Sequence, residues 1–583
     1  SHGYKRRTQR SKDARRWHEW WHERQQRRWL LMTSGEDCIR RWETIKGERV
    51  NHDRTWQRLQ EIVWPFAGDF NTTTTPGSRR TDQVYESSAT LALERFAAFM
   101  ESLLTPRNQT WHRLRSSIPE LNENQAVKEW FDIANQRLFQ VRNDPAARYY
   151  SQKHEGYKAL GAFGNDTLFV DERPGGGIRY KYCHLGHTWI EQNHEGIVDT
   201  VYYAYELTAH QAVQKWGKSA PASSQRAMES DPLRKSQYVH VVKPRMNYDP
   251  QRVDIEGMAF ESLVIEVEDS HVVERGGYHE QPYLFSRYTV NPAELYGRGP
   301  AELILPDIEM LQEQEKTLQR SGHKAADPPL LLQSDGPLGR GQKRVSLKPG
   351  GLTYGGLDMN GRPAVVPLQT GANLPITLEM MEQKREAVSA SFLNSLFLQM
   401  SNNREMTATE VMERAKEKGQ LLAPTTGRQE AEMLGPQIDR ERGILQRNGL
   451  LPPLPQELLE APDFEIIYDN EAARLQRSED ALAIERTAGW ALQAAAAGAD
   501  PSLLEVPDWH AMFREIAEIN GVSARLLKDK SEVSAAIAAQ AQRSEQQESL
   551  AMASQGASAM KDLKAAGVTP DQLDDAARAN TPS

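Results

Sequence analysis

Cys183, His184, His187 and His194 form the densest set of side chains that could ligate a transition metal. Thiolate and imidazole are the usual zinc ligands, and a structural site gathers four of them in a closed tetrahedron. The surroundings argue against that use. Residues 178–182 and 188–190 read as strands, in which neighbouring side chains point to opposite faces, so Cys183 and His184 diverge and His194 lies beyond a second strand. These four read as ordinary sheet residues. Gly217-Lys218-Ser219 matches the end of a phosphate-cradling loop, but the glycine required five positions before Gly217 is Ala212, and the segment follows a helical pattern instead of a strand. Gly339-Arg340-Gly341 lacks the third glycine of a dinucleotide turn. Asp69, Asp82 and Asp574-Asp575 have no histidine or glycine context that would make them acid, base or ligand, and no Ser/His/Asp set can be assembled. The sequence therefore points to no catalytic residue, no metal and no cofactor.

Phosphate chemistry has one further candidate. Residues 1–31 hold ten Lys/Arg against three Asp/Glu and four of the chain's 13 tryptophans. Cations pair with phosphates and aromatic faces stack on bases, so this basic arm is compatible with nucleic-acid binding. A second reading treats it as sequence upstream of a natural start at Met32, where a patterned segment opens. We take the second as the expectation. The stretch is no secretory signal, because Leu30-Leu31-Met32 is too short for an apolar core.

The elements that must position any site follow from composition and pattern. The 583 residues carry 71 Lys+Arg and 80 Asp+Glu, a net charge of −9, and are 39% hydrophobic and 26% charged. That is enough for two to four domains with much solvated helical surface. Cys38 and Cys183 are far apart, which excludes a disulfide framework and fits a reducing compartment. No run approaches 18 apolar residues, so a soluble chain is expected. Ile39, Trp42, Ile45, Trp56, Leu59 and Val63 recur at helical spacing until Pro65. Tyr85, Ala89, Ala92, Phe96, Phe99 and Leu103 mark a helix ended by Pro106, and residues 123–142 another. From Gly161 the texture becomes β-rich, with eight short runs between 167 and 290 and one helix capped by Thr208 and stopped by Gly217. Helices return at Pro300. Two helical legs, about 306–322 and 375–400, flank a Pro- and Gly-rich excursion at 327–369. Ser401 to Met406 breaks the second leg, and a Thr407 to Glu410 capping box restarts a helix that Gly419, Pro424 and Pro436 should kink or interrupt. Residues 471–566 are Ala-, Gln- and Glu-rich and mostly helical, with a frayed tail beyond.

Arg287-Tyr288, Glu294 to Ala301 and Leu305 to Ile308 resemble the signature of the portal proteins, or head-to-tail connectors, of short-tailed bacteriophages. Within it, Tyr296-Gly297-Arg298-Gly299-Pro300 offers two permissive glycines before a proline suited to a helix's first turn. Trp64-Pro65, Leu103 to Pro106, Trp111, Leu160 to Gly164, Leu207 to Ala209, Met406 to Val411, Glu413-Arg414 and Gly449 to Pro452 resemble the family in the same order. The resemblance spans roughly 36–455, leaving out the arm and much of the C-terminal third.

It implies an α+β fold, mainly α. Residues 32–299 would form N-terminal helices and a β-rich wing; 300–326 and 370–400 stem helices; 327–369 a small α/β clip; and 401–406 a tunnel loop. A long kinked helix would follow at 407–455, then a helical crown at 456–568 and a flexible tail at 569–583. It implies a structural, non-enzymatic subunit of a homo-oligomeric ring of about twelve copies at the capsid vertex, assembled in the host cytoplasm, with no membrane association. Double-stranded DNA would pass through the ring without sequence specificity. The terminase motor, tail adaptors, and major capsid and scaffolding proteins would be its partners. Ser401, Asn402, Asn403, Arg404, Glu405 and Met406 would face DNA. Arg340, Lys343, Arg344, Lys348 and Arg362, which make the clip locally +2 against Asp327, Asp335 and Asp358, would meet motor and tail. The competing classes are another virion component, such as a tail adaptor or scaffold, and a nucleic-acid enzyme, which would show metal-dependent turnover.

Overall fold

The computed structural model describes residues 35–72, 74–326, 330–332, 362–363, 365–367, 374–394, 423–460, 464–468, 471–496, 506–519 and 530–565. The basic arm, the expected tunnel loop Ser401 to Met406, the expected Thr407 to Glu410 box and four of the expected clip cations (Arg340, Lys343, Arg344, Lys348) lie outside them. Arg362 is described and exposed. The chain divides into two compact units: residues 1–115, 133–454 and 464–479 form the first, and 116–132, 455–463 and 480–583 the second.

The first unit opens with α1 (Gly35–Glu48) and α2 (Val50–Ile62). The sequence pattern reads these as one run. They part at Arg49, whose guanidinium turns inward, yet the amide bonds from Arg49 to Ile45 (3.1 Å) and Asp53 to Arg49 (3.0 Å) carry the helical ladder through. Next comes α3 (Ser88–Leu104), with nine buried residues including Phe96, Phe99 and Leu103. Tyr85, expected inside it, stands before its start. The Gln312 side chain takes the Tyr85 and Glu86 amides at 2.7 and 2.9 Å, and Glu86 accepts from the Ser88 amide at 2.9 Å. Strand β1 (His112–Ser116) and helix α4 (Gln125–Asn143) follow; α4 starts in the second unit and ends in the first.

Helix α5 (Tyr149–Phe163) has no counterpart in the sequence reading. It is buried on most of its faces, so it lacks the polar stripe that makes helical periodicity visible. From its end the β-rich region runs through β2 (Asn165–Glu172), β3 (Ile178–Tyr182), β4 (Thr188–Gln192) and β5 (Val198–Thr208). Helix α6 (Ala209–Trp216) then forms as expected, its Thr208 and Gln211 making a reciprocal capping box and Gly217 closing it at φ +57°. A second helix, α7 (Ala222–Ser230), was not anticipated. The strands resume as β6 (Lys235–Pro244), β7 (Phe260–Glu266), β8 (Val272–Tyr278) and β9 (Tyr283–Arg287). Two antiparallel sheets result, one ordered β4-β5-β6-β7-β8 and the other β3-β2-β9. Strand alternation puts Trp189, Tyr202, Val239, Val241, Leu263 and Ile265 on one face of the larger sheet, where Cys38, Ile39, Trp42 and Ile45 of α1 cover them.

After the short turn α8 (Pro300–Leu303), helix α9 (Leu305–Ala326) leads to β10 (Leu330–Leu332), which pairs antiparallel with β11 (Val365–Pro367) before α10 (Leu374–Ser391) returns. The legs pack through Ile308, Leu311, Met381 and Val388, all buried, and Lys384 pairs with Asp307. The described helix of the second leg ends at Ser391, and residues 395–400 of the expected leg lie outside the described residues. Leu393 turns the chain at φ +59°, while Phe392 buries its ring 6.2 Å from Phe96. Pro436 does not break its helix. Residues 430–434 widen into a π turn, whose Gly435 amide bonds the Glu430 carbonyl, and α11 (Gly435–Arg447) continues from it. The wider turn absorbs the donor that proline removes. Strand β12 (Phe464–Tyr468), also unanticipated, pairs with β1.

In the second unit, α12 (Gln456–Glu460) lies beside the start of α4, with Val127, Trp130, Phe131 and Leu458 buried and Asn124 bonded to Glu457 at 3.2 Å. Helices α13 (Glu471–Ala496, entering from the first unit), α14 (Trp509–Ile519) and α15 (Lys530–Ala565) complete it.

Candidate functional site

The segment with the strongest sequence signature sits where the sheet hands the chain to α9. Strand β9 ends at Arg287; the Tyr288 amide then bonds the Gly164 carbonyl at 2.9 Å, and Arg298 returns to Thr289 in an isolated antiparallel bridge, 2.8 Å from amide to carbonyl. The buried Asn165 side chain acts as a surrogate backbone, accepting from the Gly297 amide at 2.8 Å and donating to its carbonyl at 3.0 Å. Gly299 has an ordinary φ of −92°. Its need for glycine is therefore proximity, not the conformational freedom expected from sequence: a Cβ there would lie 2.7 Å from the Gly164 nitrogen, and one on Gly297 2.6 Å from the Gly164 oxygen. Gly164, at φ +76°, caps α5 and completes the close approach. Pro300 takes the first helical position of α8, as expected.

Charge fixes the junction on both sides. Arg298 donates to Glu294 at 2.6 and 2.7 Å and to Glu302 at 2.7 Å, so the motif arginine is a brace. These bonds hold the Glu294 carboxyl below its usual range, while burial outweighs Arg298 at Glu302 and raises it. Tyr296 is buried, its ring 5.3 Å from Trp56 and its hydroxyl accepting from the Ile190 amide at 3.3 Å. Arg49 lies over the Trp189 ring at 4.5 Å, pairs with Asp53 at 2.8 Å and donates to the Leu185 carbonyl at 3.0 Å. A buried cation here ties α1 and α2 to the turn before β4.

Two further locks attach the helix that ends in α11, and neither leaves a pattern in the sequence. Strand β9 is an edge, and side chains of the π turn and of Gln429 just before it complete it. Glu432 accepts from the Arg287 amide and guanidinium at 2.9 and 2.8 Å, while Gln429 donates to the Arg287 carbonyl at 3.1 Å. Deeper, Arg142 of α4 forms a bidentate pair with Glu441 of α11, which also accepts from Tyr180 and Gln437, each at 2.7 Å. Burial disfavours the Arg142 charge, but Glu441 outweighs it and raises the Arg142 pKa; burial and then Arg142 keep His112 neutral.

Cys183 is buried, donates to the Lys181 carbonyl, and has its thiol pushed up to about 12 by burial. His184 accepts from the Gly186 amide at 3.1 Å and is lowered to about 3, first by burial and then by His187, Arg49 and Arg80; His194 is exposed. They do not converge. Among the described residues, no group of His, Cys, Asp or Glu could hold a metal ion.

The junction thus ties the sheet to the helix that ends in α11 and to the first of two legs that flank an excursion. The chain matches the bacteriophage head to tail connecting protein family over residues 35–527, and it belongs to that family. The match runs past residue 455, where the resemblance was expected to stop. The chain is 28% identical to the probable portal protein of Bordetella phage BPP-1 over 527 residues, covering 89% of this chain and 93% of that protein. It is 25% identical to the portal protein of Salmonella phage epsilon15 over 544 residues, covering 92% and 96%. Its function is that of a structural portal component at the capsid vertex.

Proposed function

We propose that the chain is one subunit of a dodecameric, non-enzymatic ring through which double-stranded DNA is packaged and ejected without sequence specificity. The family match over residues 35–527 carries this reading. Geometry supports it: α9 and α10 run as packed legs, and the β10–β11 pair closes an excursion at their far end. We assign that excursion, residues 327–369, to the clip. There Arg340, Lys343, Arg344, Lys348 and Arg362 meet the terminase motor and later the tail adaptors. Capsid and scaffolding proteins are its other partners, the ring forms in the host cytoplasm, and it remains in the virion at the portal vertex. Among the described residues, no helix is long and apolar enough to cross a membrane. Ser401 to Met406 form the tunnel loop; Arg404 and Glu405 nearly cancel, so the collar neither traps DNA nor repels it. Negative-stain microscopy of the purified protein tests the reading through end-on rings and their subunit count. Monodisperse single subunits at micromolar concentration, or metal-dependent nuclease turnover, would overturn it.

A further inference from the structure

The first unit carries two features that the junction does not use. One is a cleft of about 870 Å³, lined by the β3-β2-β9 sheet and by the face of the larger sheet that α1 leaves uncovered. Its floor is aromatic and fixed. His240 is held on both ring nitrogens, by the Tyr283 hydroxyl and the Ser262 Oγ, each at 2.8 Å, with Phe169 beside them. Half-buried Tyr203, Tyr205 and Tyr278 form the walls. The rim is basic: Arg148, Arg179, Lys181 and Lys215 against Asp171 and Glu274, a balance of +2. Arg179 pairs with Asp171 at 3.0 Å and Lys215 with Glu274 at 3.3 Å. Arg148 and Lys181 remain, exposed and with no carboxylate partner among the described residues, Lys181 standing 4.8 Å over the Tyr203 ring.

The other feature is the loop between β6 and β7. Its backbone is closely pinned. Arg245 reaches the Met258 and Gly276 carbonyls at 3.0 and 3.2 Å, Arg252 clamps both Asp254 and Glu256, and a Cβ on Gly257 would overlap the Arg252 carbonyl. Yet this ordered loop gives its apolar side chains to solvent: Val253 is fully exposed, and Met246, Tyr248 and Ile255 are about half exposed. Residues 248–257 hold Asp249, Asp254 and Glu256 against Arg252, a balance of −2. A loop that has already lost its conformational freedom, and whose apolar side chains stand half or fully in solvent in the single chain, is pre-organised for association.

We propose that the β6–β7 loop of one copy docks in the aromatic cleft of the next. A cyclic ring needs two different, complementary patches on each subunit. This pair supplies them: an apolar tip with a −2 surround meets an aromatic cleft with a +2 rim. Val253 and Ile255 contact the tyrosine walls, and the acidic tip faces Arg148 and Lys181. The proposal rests on the ring reading above and adds the surface by which neighbours recognise each other.

The test is a photo-crosslinking phenylalanine analogue at position 253, in rings assembled from mixed nitrogen-15-labelled and unlabelled subunits. The expected result is crosslinked peptides of mixed label joining residue 253 to segments 203–207, 262–264 or 274–283, or to His240. In parallel, the exposed substitutions V253E and I255E together should leave the subunit folded and lower the ring fraction about tenfold, and K181E should lower it less, with the effect shrinking in high salt. Crosslinks only elsewhere on the neighbour, only within one subunit or only to another virion protein overturn the proposal. So do unchanged rings in the double variant. If the wild-type protein forms no ring, the ring reading fails and takes this proposal with it; intact rings with failed docking remove only this interface.

Discussion

In the first unit Trp56, Trp111 and Tyr157 are closed off from solvent, and charged side chains cross the interior to hold the elements around them. In the second unit Trp490 is 70% exposed and Phe513 63%, with Leu492, Leu550 and Met552 exposed as well. The first unit closes its large aromatic rings inside and exposes apolar side chains chiefly on loops and turns, such as Val253 and Leu233. The C-terminal helices leave theirs for something else to cover, which on the ring reading is the neighbouring copies. Stability should therefore respond most to interior substitutions in the first unit, and assembly to exposed side chains, those of the C-terminal helices as well as those of the β6–β7 loop.

The largest expected effect is at the Arg142–Glu441 lock. Both groups are fully buried, so Glu441→Gln leaves Arg142 charged, desolvated and without its counter-charge. Breaking one side of such a pair costs about 3–5 kcal/mol. Urea unfolding followed by tryptophan fluorescence should show a loss of that size. Replacing both partners, Arg142→Met with Glu441→Leu, should recover much of it, because no buried charge remains. A neutral Glu441→Gln would mean that the first unit does not depend on its interior charges.

That lock also shows where the sequence stops being legible. The α6 helix could be read because its Thr208 cap, Gln211 and Gly217 stop lie within ten residues, and the strands of the larger sheet because alternation is local. The glycines of 296–300 stood out, but their purpose did not: each faces Gly164 in three dimensions, across a separation no spacing rule spans. Arg142 and Glu441 are 299 positions apart, and Arg287 and Glu432 are 145 apart. Arg298 was readable as part of a motif, yet its role as a brace between Glu294 and Glu302 depends on the turn that the motif builds. Helix α5 failed for the opposite reason. Burial on most faces erased the periodicity that betrays α3.

A smaller effect should come from protonation. His240 is lowered to about 4, mainly by burial and then by Lys215, with Lys181 adding and Glu274 opposing. The folded ring stays neutral, while the unfolded chain binds a proton below about pH 6.5. The contribution is therefore fully present above pH 6.5 and is lost as pH falls toward 4, amounting to about 3 kcal/mol over that window. Comparing unfolding free energies of wild type and His240→Gln across pH 7 to 4 isolates this group from other titrations. The variant should be less stable at pH 7 and show a shallower decline. Parallel curves would mean that His240 titrates in the folded cleft as it does in the unfolded chain.

The smallest effect on the folded subunit should be at the exposed aromatics of the second unit. Trp490→Ala and Phe513→Ala remove side chains that already face water in the single chain, so little buried area is lost on folding and no cavity is left. Substitutions of that kind fall within about 0.5 kcal/mol. Removing both should leave the urea midpoint of dissociated subunits nearly unchanged. If these side chains are covered only when copies meet, the same pair should shift the ring-to-subunit equilibrium, visible as rings that dissociate at lower denaturant in sedimentation. A clear loss of subunit stability would show that the C-terminal helices bury these rings within one chain. An unchanged ring would show that they face solvent or another partner in the assembly. Either result would place the contrast between the two units somewhere other than at the subunit boundary.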